Sequence, residues 1–246
     1  MKKKDSNEIY RKLKLAYSRL GKAFKELKES HIEMIFRLAF MAELRDPETG
    51  GHLVRIADYS AIIAEGMGLP KDEIDMIRHA SPMHDVGKIM LPDKILKKKG
   101  KLTAQEKDLM KKHPSSGAEI FKNSRSSLLK ACEEIALTHH ERYDGTGYPM
   151  GLSGKDIPLY GRIVALADCF DAYTSARSYK KAYTFDEAVA MIRERSGTHF
   201  DPAVVRAFVK NKNKIKTTLE ANRDIEGYLQ EIEDAEKDSK AEKAEK

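Results

Sequence analysis

Eight histidines occur in the 246 residues, and their neighbours say more than their number. His84 is followed by Asp85, His139 by His140 and Glu141, and His52 stands four residues after Glu48. Imidazole and carboxylate are ligands for divalent transition metals, so these clusters point to metal chemistry. A single histidine reads more simply as a hydrogen-bonded or surface group, which is the reading for His31, His79 and His199. A vicinal pair is harder to dismiss. Adjacent helical side chains point about 100° apart, so His139 and His140 address two metals or bracket one.

Lys88 follows His84 by four residues and Asp85 by three, so one helical turn can present imidazole, carboxylate and ammonium together. A cation beside a metal carboxylate suits an anionic substrate. The run from His139 to Pro149 places two imidazoles at a helix end, ahead of a glycine-rich loop of the kind that shapes a substrate mouth. Asp168 lies among apolar and small residues between Tyr160 and Tyr173, where a carboxylate needs a partner that a metal would supply. Asp171, three residues on and on the same helical face, reads as a hydrogen-bond partner of a ligand histidine. Nitrogen and oxygen ligands without thiolate fit iron, manganese, zinc or nickel, and iron or manganese is the expectation here.

Helices must position these groups. Between Met34 and Phe208 helical patterns follow one another with almost no strand alternation. Thr103 to Glu106 and Thr184 to Glu187 read as capping boxes, and Asp201-Pro202 as a helix start. Loops are expected at 46–51, 66–70 and 144–158. Upstream, Ile9, Leu13, Ala16, Leu20, Ala23 and Leu27 follow a 4, 3, 4, 3, 4 spacing, the seam of a heptad repeat. Such a helix either lies on its own domain or pairs with a second copy as a dimeric coiled coil. The expected organisation is an N-terminal helical extension over 1–40, a catalytic all-α bundle over 41–210, and a charged helical or disordered tail over 211–246.

Composition narrows the function classes. Residues 1–30 carry ten positive and four negative side chains, whereas 31–210 carry 27 and 25. The basic excess thus belongs to the extension and is a weak argument for nucleic acid as partner. No apolar run approaches the roughly 20 residues needed to cross a bilayer. Cys132 and Cys169 form neither a disulfide framework nor a C-x-x-C pair and read as small core residues. A cytoplasmic protein is expected.

The ordered set from His84-Asp85-Val86-Gly87-Lys88 to His139-His140-Glu141 and Gly147-Tyr148-Pro149 resembles the HD-GYP family, HD-superfamily phosphodiesterases that hydrolyse the bacterial second messenger cyclic di-GMP. The likeness runs from Arg45 to His52, through Pro92 to Ile95 and His113-Pro114, to Gly197-Thr198-His199-Phe200-Asp201-Pro202, about two thirds of the chain. It implies an HD-superfamily helical bundle and makes His52, His84, Asp85, His113, His139, His140 and Asp168 metal ligands; five imidazoles and two or three carboxylates exceed what one tetrahedral ion uses, so at least two metals sharing bridging groups are expected, with Asp85 the expected bridge. Glu48 matches an additional ligand that accompanies a third ion in some relatives. Lys88 matches the lysine near phosphates and metals, and Tyr148, Arg177 and Lys180 match positions that contact the dinucleotide. Met83 and Val86 replace the commoner Leu and Ile. Ala176 and Ser178 stand where relatives often carry Asp and Pro, which bears on the contact made by Arg177.

The implied activity is metal-dependent hydrolysis of cyclic di-GMP to pGpG and GMP, with water activated by two ions for in-line attack on phosphorus. In that scheme His84, Asp85 and Lys88 form the catalytic core. Two alternatives stay open on the residues alone: a hydrolase of another cyclic dinucleotide or nucleotide, and a catalytically silent binding module. Relatives often place a receiver or sensor domain ahead of this module. None fits in this sequence, so a separate sensor or diguanylate cyclase protein is the expected source of input.

Overall fold

The structure, a computed structural model, describes residues 2–45, 51–175 and 181–222. It comprises two units, residues 1–38 and 39–246. One helix, α1 (Lys2–Glu43), begins in the first and ends in the second. In the first unit Leu13, Ala16, Leu20, Ala23 and Leu27 are all exposed. Four-residue pairs such as Lys12 with Glu8 at 2.8 Å support its helix locally.

The second unit is helical because its apolar residues recur at helical spacing and its helix ends are capped. It contains α2 (Gly51–Gly66), α3 (Lys71–Ala80), α4 (Asp93–Leu96), α5 (Ala104–Met110) and α6 (His113–Phe121). After these come α7 (Ser127–Thr138), α8 (Leu159–Thr174), α9 (Phe185–Glu194) and α10 (Pro202–Lys210). Among the described residues there is no strand beyond two isolated bridges, Asp144 with Ser153 and Ser196 with Phe200. Thr103 Oγ1 accepts the Glu106 amide at 3.3 Å while Glu106 Oε2 accepts the Thr103 amide at 2.8 Å, so the first capping box forms. The second forms in the same way between Thr184 and Glu187. Asp201 Oδ1 accepts the Ala203 amide at 2.6 Å ahead of Pro202.

The centre is built on α2 and α8, whose faces carry Leu53, Ile56, Tyr59, Ile63, Ile163, Val164, Leu166 and Phe170, all buried. Tyr59 and Phe208 pack edge-on to Phe170 at 5.2 and 5.1 Å, tying α10 to the pair. Each such side chain contributes roughly 1.5–3 kcal/mol on burial, so α2 and α8 form a rigid base for the polar groups they carry. Ala39 and Ala42 at the end of α1 are buried in this unit.

Within the stretch expected as a charged helical or disordered tail, residues 212–222 are helical and bury Ile215 and Leu219, four residues apart on one helix face among lysines. Residues 223–246 lie outside the described residues.

Candidate metal centre

Five separate elements bring the candidate ligands together. His52 is the second residue of α2, His113 the first of α6, and His139 caps the C-terminus of α7 with His140 beside it. Asp168 comes from the middle of α8. His84 and Asp85 do not sit within one α-helix. They join two 3-10 turns, Ser81–Met83 and Val86–Met90. Gly87 permits this junction, since a Cβ there would collide with the His113 carbonyl and the Gly117 amide. The turn therefore lies directly on the backbone of α6, which sets Asp85 beside His113.

The ring nitrogens show what the cluster is built for. His84 Nδ1 lies 3.0 Å from the Ser81 carbonyl, His113 Nδ1 2.8 Å from that of Met110, and His139 Nδ1 3.0 Å from that of Ala136. His52 Nδ1 lies 2.7 Å from Asp171 Oδ2. Carbonyl and carboxylate oxygens only accept, so each Nδ1 is the protonated nitrogen and Nε2 is left to bind. Yet His52 Nε2 and His84 Nε2 face each other at 3.4 Å, and His113 Nε2 and His139 Nε2 at 3.3 Å. Two lone pairs, or two N–H dipoles, repel at that separation. Two metal bonds of about 2.1 Å meeting near the tetrahedral angle span about 3.4 Å, so a divalent cation fits each pair.

Two groups of ligand atoms result, each within 4.8 Å: Asp85, His113, His139 and His140 in one, His52, His84 and Asp168 in the other. Asp85 stands between them. Its Oδ1 lies 3.0 Å from His113 Nε2 and 3.5 Å from His139 Nε2, and its Oδ2 3.3 Å from His84 Nε2. Asp168 Oδ1 is 3.9 Å from the Nε2 atoms of both His52 and His84. Lys88 Nζ lies 2.8 Å from Asp85 Oδ2 and is largely buried.

Without a cation the groups perturb one another strongly. Burial works to raise the Asp85 pKa, but the charges of Lys88 and His84, with the His113 and His139 rings against Oδ1, hold it well below the usual carboxylate range. Burial works to lower that of His52, and the Asp171 hydrogen bond, with the charges of Asp171, Asp168 and Glu43, overrides it and raises the value to about 9. His139 is lowered, chiefly by burial, despite Asp85. His140 is pushed well down by burial and the neighbouring imidazoles, which leaves it neutral as a ligand must be.

Several supporting residues carry no motif. Arg55, one helical turn beyond His52, donates Nε to Asp171 Oδ1 at 2.6 Å and holds the carboxylate that holds His52. With His52 and Arg55 against it, Asp171 is lowered to about 2 in spite of burial. Glu43 brings a carboxyl with a buried Oε2 that has no hydrogen-bond partner, and burial raises its pKa to about 7 against the charges of His52, His84 and Lys88. Glu141, 2% exposed, accepts the amides of Met150 and Leu152. Its place between a ligand pair and the glycine-rich loop was the one sequence signal available for it. Glu43 offered none beyond its charge near a predicted helix end.

Tyr148 packs its ring on His140 at 4.8 Å and 31°, with the Lys111 ammonium 5.5 Å from the ring centre. Burial and the charges of Asp85 and Asp168 raise its hydroxyl pKa. Glu48, Arg177 and Lys180 lie outside the described residues. Cys132 is buried and its thiol pushed up to about 12, and neither cysteine belongs to a ligand group among the described residues. His31 is exposed, and His199 stacks on Phe200 at 4.3 Å and belongs to neither group.

The 3'3'-cGAMP-specific phosphodiesterase 2 of Vibrio cholerae is 45% identical over 186 residues, covering 76% of this chain and 36% of that protein. The cyclic di-GMP phosphodiesterase response regulator RpfG of Xanthomonas campestris is 44% identical over 198 residues, covering 80% and 52%. The chain thus spans between about a third and about half of those curated relatives. A crystal structure of a cyclic GMP-AMP specific phosphodiesterase from V. cholerae, V-cGAP3, superposes with a TM-score of 0.59 at 19% identity over 79% of this chain and 52% of that one, a likeness of fold. No described helix is long and apolar enough to cross a membrane. Residues 38–204 match the family profile described as HD domain, and with the histidine, aspartate and Gly-Tyr-Pro motifs in order along that stretch, the chain belongs to the HD-domain family in its HD-GYP branch.

Proposed function

We propose that this domain hydrolyses cyclic di-GMP to pGpG and GMP with two divalent cations, one held by His52, His84 and Asp168 and the other by His113, His139 and His140, with Asp85 shared. The observation that carries the reading is the facing of Nε2 atoms in each group, with one carboxylate oxygen of Asp85 turned to each. Bound there, such cations would polarise the phosphoryl oxygens and lower the pKa of the attacking water.

The chain's own residues do the rest. The backbone carbonyls of Ser81, Met110 and Ala136 orient three rings, and Asp171, fixed by Arg55, orients the fourth. Lys88 places an ammonium beside Asp85, where it offsets charge gathering on the phosphate. Tyr148 borders the cluster from the loop side. Arg177 and Lys180 are assigned the second phosphate or a guanine edge, and Glu48 a ligand to a third ion. All-nitrogen-and-oxygen donors fit iron, manganese, zinc and nickel without choosing among them, and iron or manganese is the metal proposed. The exposed heptad seam of the extension is assigned to pairing with a second copy, and the input to a separate sensor or cyclase protein.

Incubating the metal-loaded protein with cyclic di-GMP, 3'3'-cGAMP and linear nucleotide phosphoesters tests the reading. Fastest turnover of cyclic di-GMP, with pGpG appearing before GMP, is expected. The 45% identity to a protein named for 3'3'-cGAMP supports a second reading, in which that dinucleotide is turned over faster. Activity on linear esters alone ends both.

A further inference from the structure

The loop from Arg142 to Ser153 is closed onto the ligand pair by Glu141, which lies next to His140 in sequence and is 2% exposed. Its Oε1 accepts the Met150 amide at 2.7 Å and its Oε2 the Leu152 amide at 3.0 Å, so both oxygens of one carboxylate fasten the returning strand of the loop. Between these fixed points the Tyr148 amide donates to the His140 carbonyl at 3.2 Å. Gly147 comes so close to the Glu141–Arg142 backbone that a Cβ there would overlap the Arg142 amide and the Glu141 Cα. The consequence is the position of one ring: Tyr148 is seated on His140 at 4.8 Å.

We infer that Glu141 is a positioning residue for substrate recognition: by clamping Met150 and Leu152 it fixes Tyr148 as a wall of the pocket, and so sets the affinity for a cyclic dinucleotide without touching metal or substrate. The inference rests on the functional reading above. A carboxylate suits the task because it accepts from two amides and donates to none. An amide side chain in its place turns an NH2 toward a backbone N–H and keeps one bond of the two. The outgoing arm of the loop is tied to the 198–199 segment, the Tyr143 and Asp144 amides donating to the His199 and Thr198 carbonyls at 3.1 and 2.8 Å, and its tip is tied through Arg142, Asp144 and Thr146, but none of these bonds engages the Met150 or Leu152 amide. The buried clamp thus sets where Tyr148 stands, while the tip sets only the local turn.

The test compares the full chain with Glu141→Gln, Tyr148→Ala and the combined variant, all loaded with Mn2+. In the parent chain the Met150 and Leu152 amides are expected to be protected from hydrogen exchange although they lie in a loop, and rapid exchange there overturns the clamp even if no variant folds. In Glu141→Gln these two amides exchange at least about tenfold faster while metal content per chain is unchanged, and KM for cyclic di-GMP rises about tenfold with kcat within about threefold. Tyr148→Ala gives a KM of the same order, and the combined variant is no worse than the worse single one, because both act through one contact. Loss of metal in Glu141→Gln assigns the residue to holding His139 and His140 and overturns the inference. Additive KM effects, or a fall in kcat alone, overturn it too. Failure of the functional reading is separate: the parent chain, with metal bound, then turns over no cyclic dinucleotide, whatever the exchange rates.

Discussion

At the scale of single residues the centre works by dividing the two ends of each imidazole. Nδ1 is committed to an oxygen that can only accept, and Nε2 is thereby offered to a cation. Asp85 is the residue on which most depends, since its two oxygens face different ligand groups. Replacing it with Asn keeps the shape and removes the charge. We expect Asp85→Asn to lower bound metal toward one ion per chain or fewer and to cut phosphodiester hydrolysis by at least about a thousandfold, measured by elemental analysis and product chromatography on the same sample. Full activity at full metal content would reject the bridging role. His52 sets the pH dependence. In the metal-free protein its pKa of about 9 exceeds the unfolded value near 6.5, so the folded state holds an extra proton between these limits. The stability this contributes is complete below about 6.5 and fades as the pH climbs through 9. A cation must displace that proton, so affinity for Mn2+ should increase with pH up to about 9. Calorimetry at pH 7 in buffers of different ionisation enthalpy should show proton release, and identical heats in every buffer would contradict it.

Elements impose the distances that residues cannot. The candidate ligands come from α2, the double 3-10 turn, α6, the end of α7 and α8, and the tightest junction among them is Gly87 against α6. Gly87→Ala forces the turn away from the His113 carbonyl. It should destabilise the metal-free protein by about 1–3 kcal/mol in urea unfolding and lower metal content by separating Asp85 from His113. A variant with unaltered stability and metal content would show that the approach is dispensable. The extension poses a different question, because an apolar seam is exposed along a helix: Leu13, Leu20 and Leu27 are 52%, 67% and 54% exposed. If that seam pairs two copies, light scattering should give twice the chain mass, and Leu20→Arg should return it to one chain while leaving metal content intact. A monomeric parent chain would remove the coiled coil.

For the whole molecule, cations held as proposed would bridge elements far apart in sequence and act as cross-links present only in the folded state. Chelation should lower the melting temperature by several degrees, and excess Mn2+ should restore it, by the linkage of binding to folding. Equal melting curves with and without chelator would mean that the cluster binds too weakly to hold the helices together. Much of this was legible in the letters. Helical content followed from apolar spacing, and the caps at Thr103, Thr184 and Asp201 formed as read, because such signals are local and a few neighbouring residues decide them. The ligand set could be named from motif order, and Asp171 was readable as a hydrogen-bond partner from its position one turn after Asp168. Arg55 and Glu43 were not singled out, and Glu141 was grouped with the ligand-type residues although its carboxylate holds backbone amides, since a buried charge looks like any other until its surroundings are known. The packed face of the helix over 212–222 was hidden in the same way by its lysines. What the amino-acid order determined alone was therefore the kind of chemistry and the helices to carry it. Tertiary structure decided how Asp85 divides its oxygens between the two groups and which carboxylate holds His52, because these depend on contacts between segments dozens of residues apart that no local pattern records.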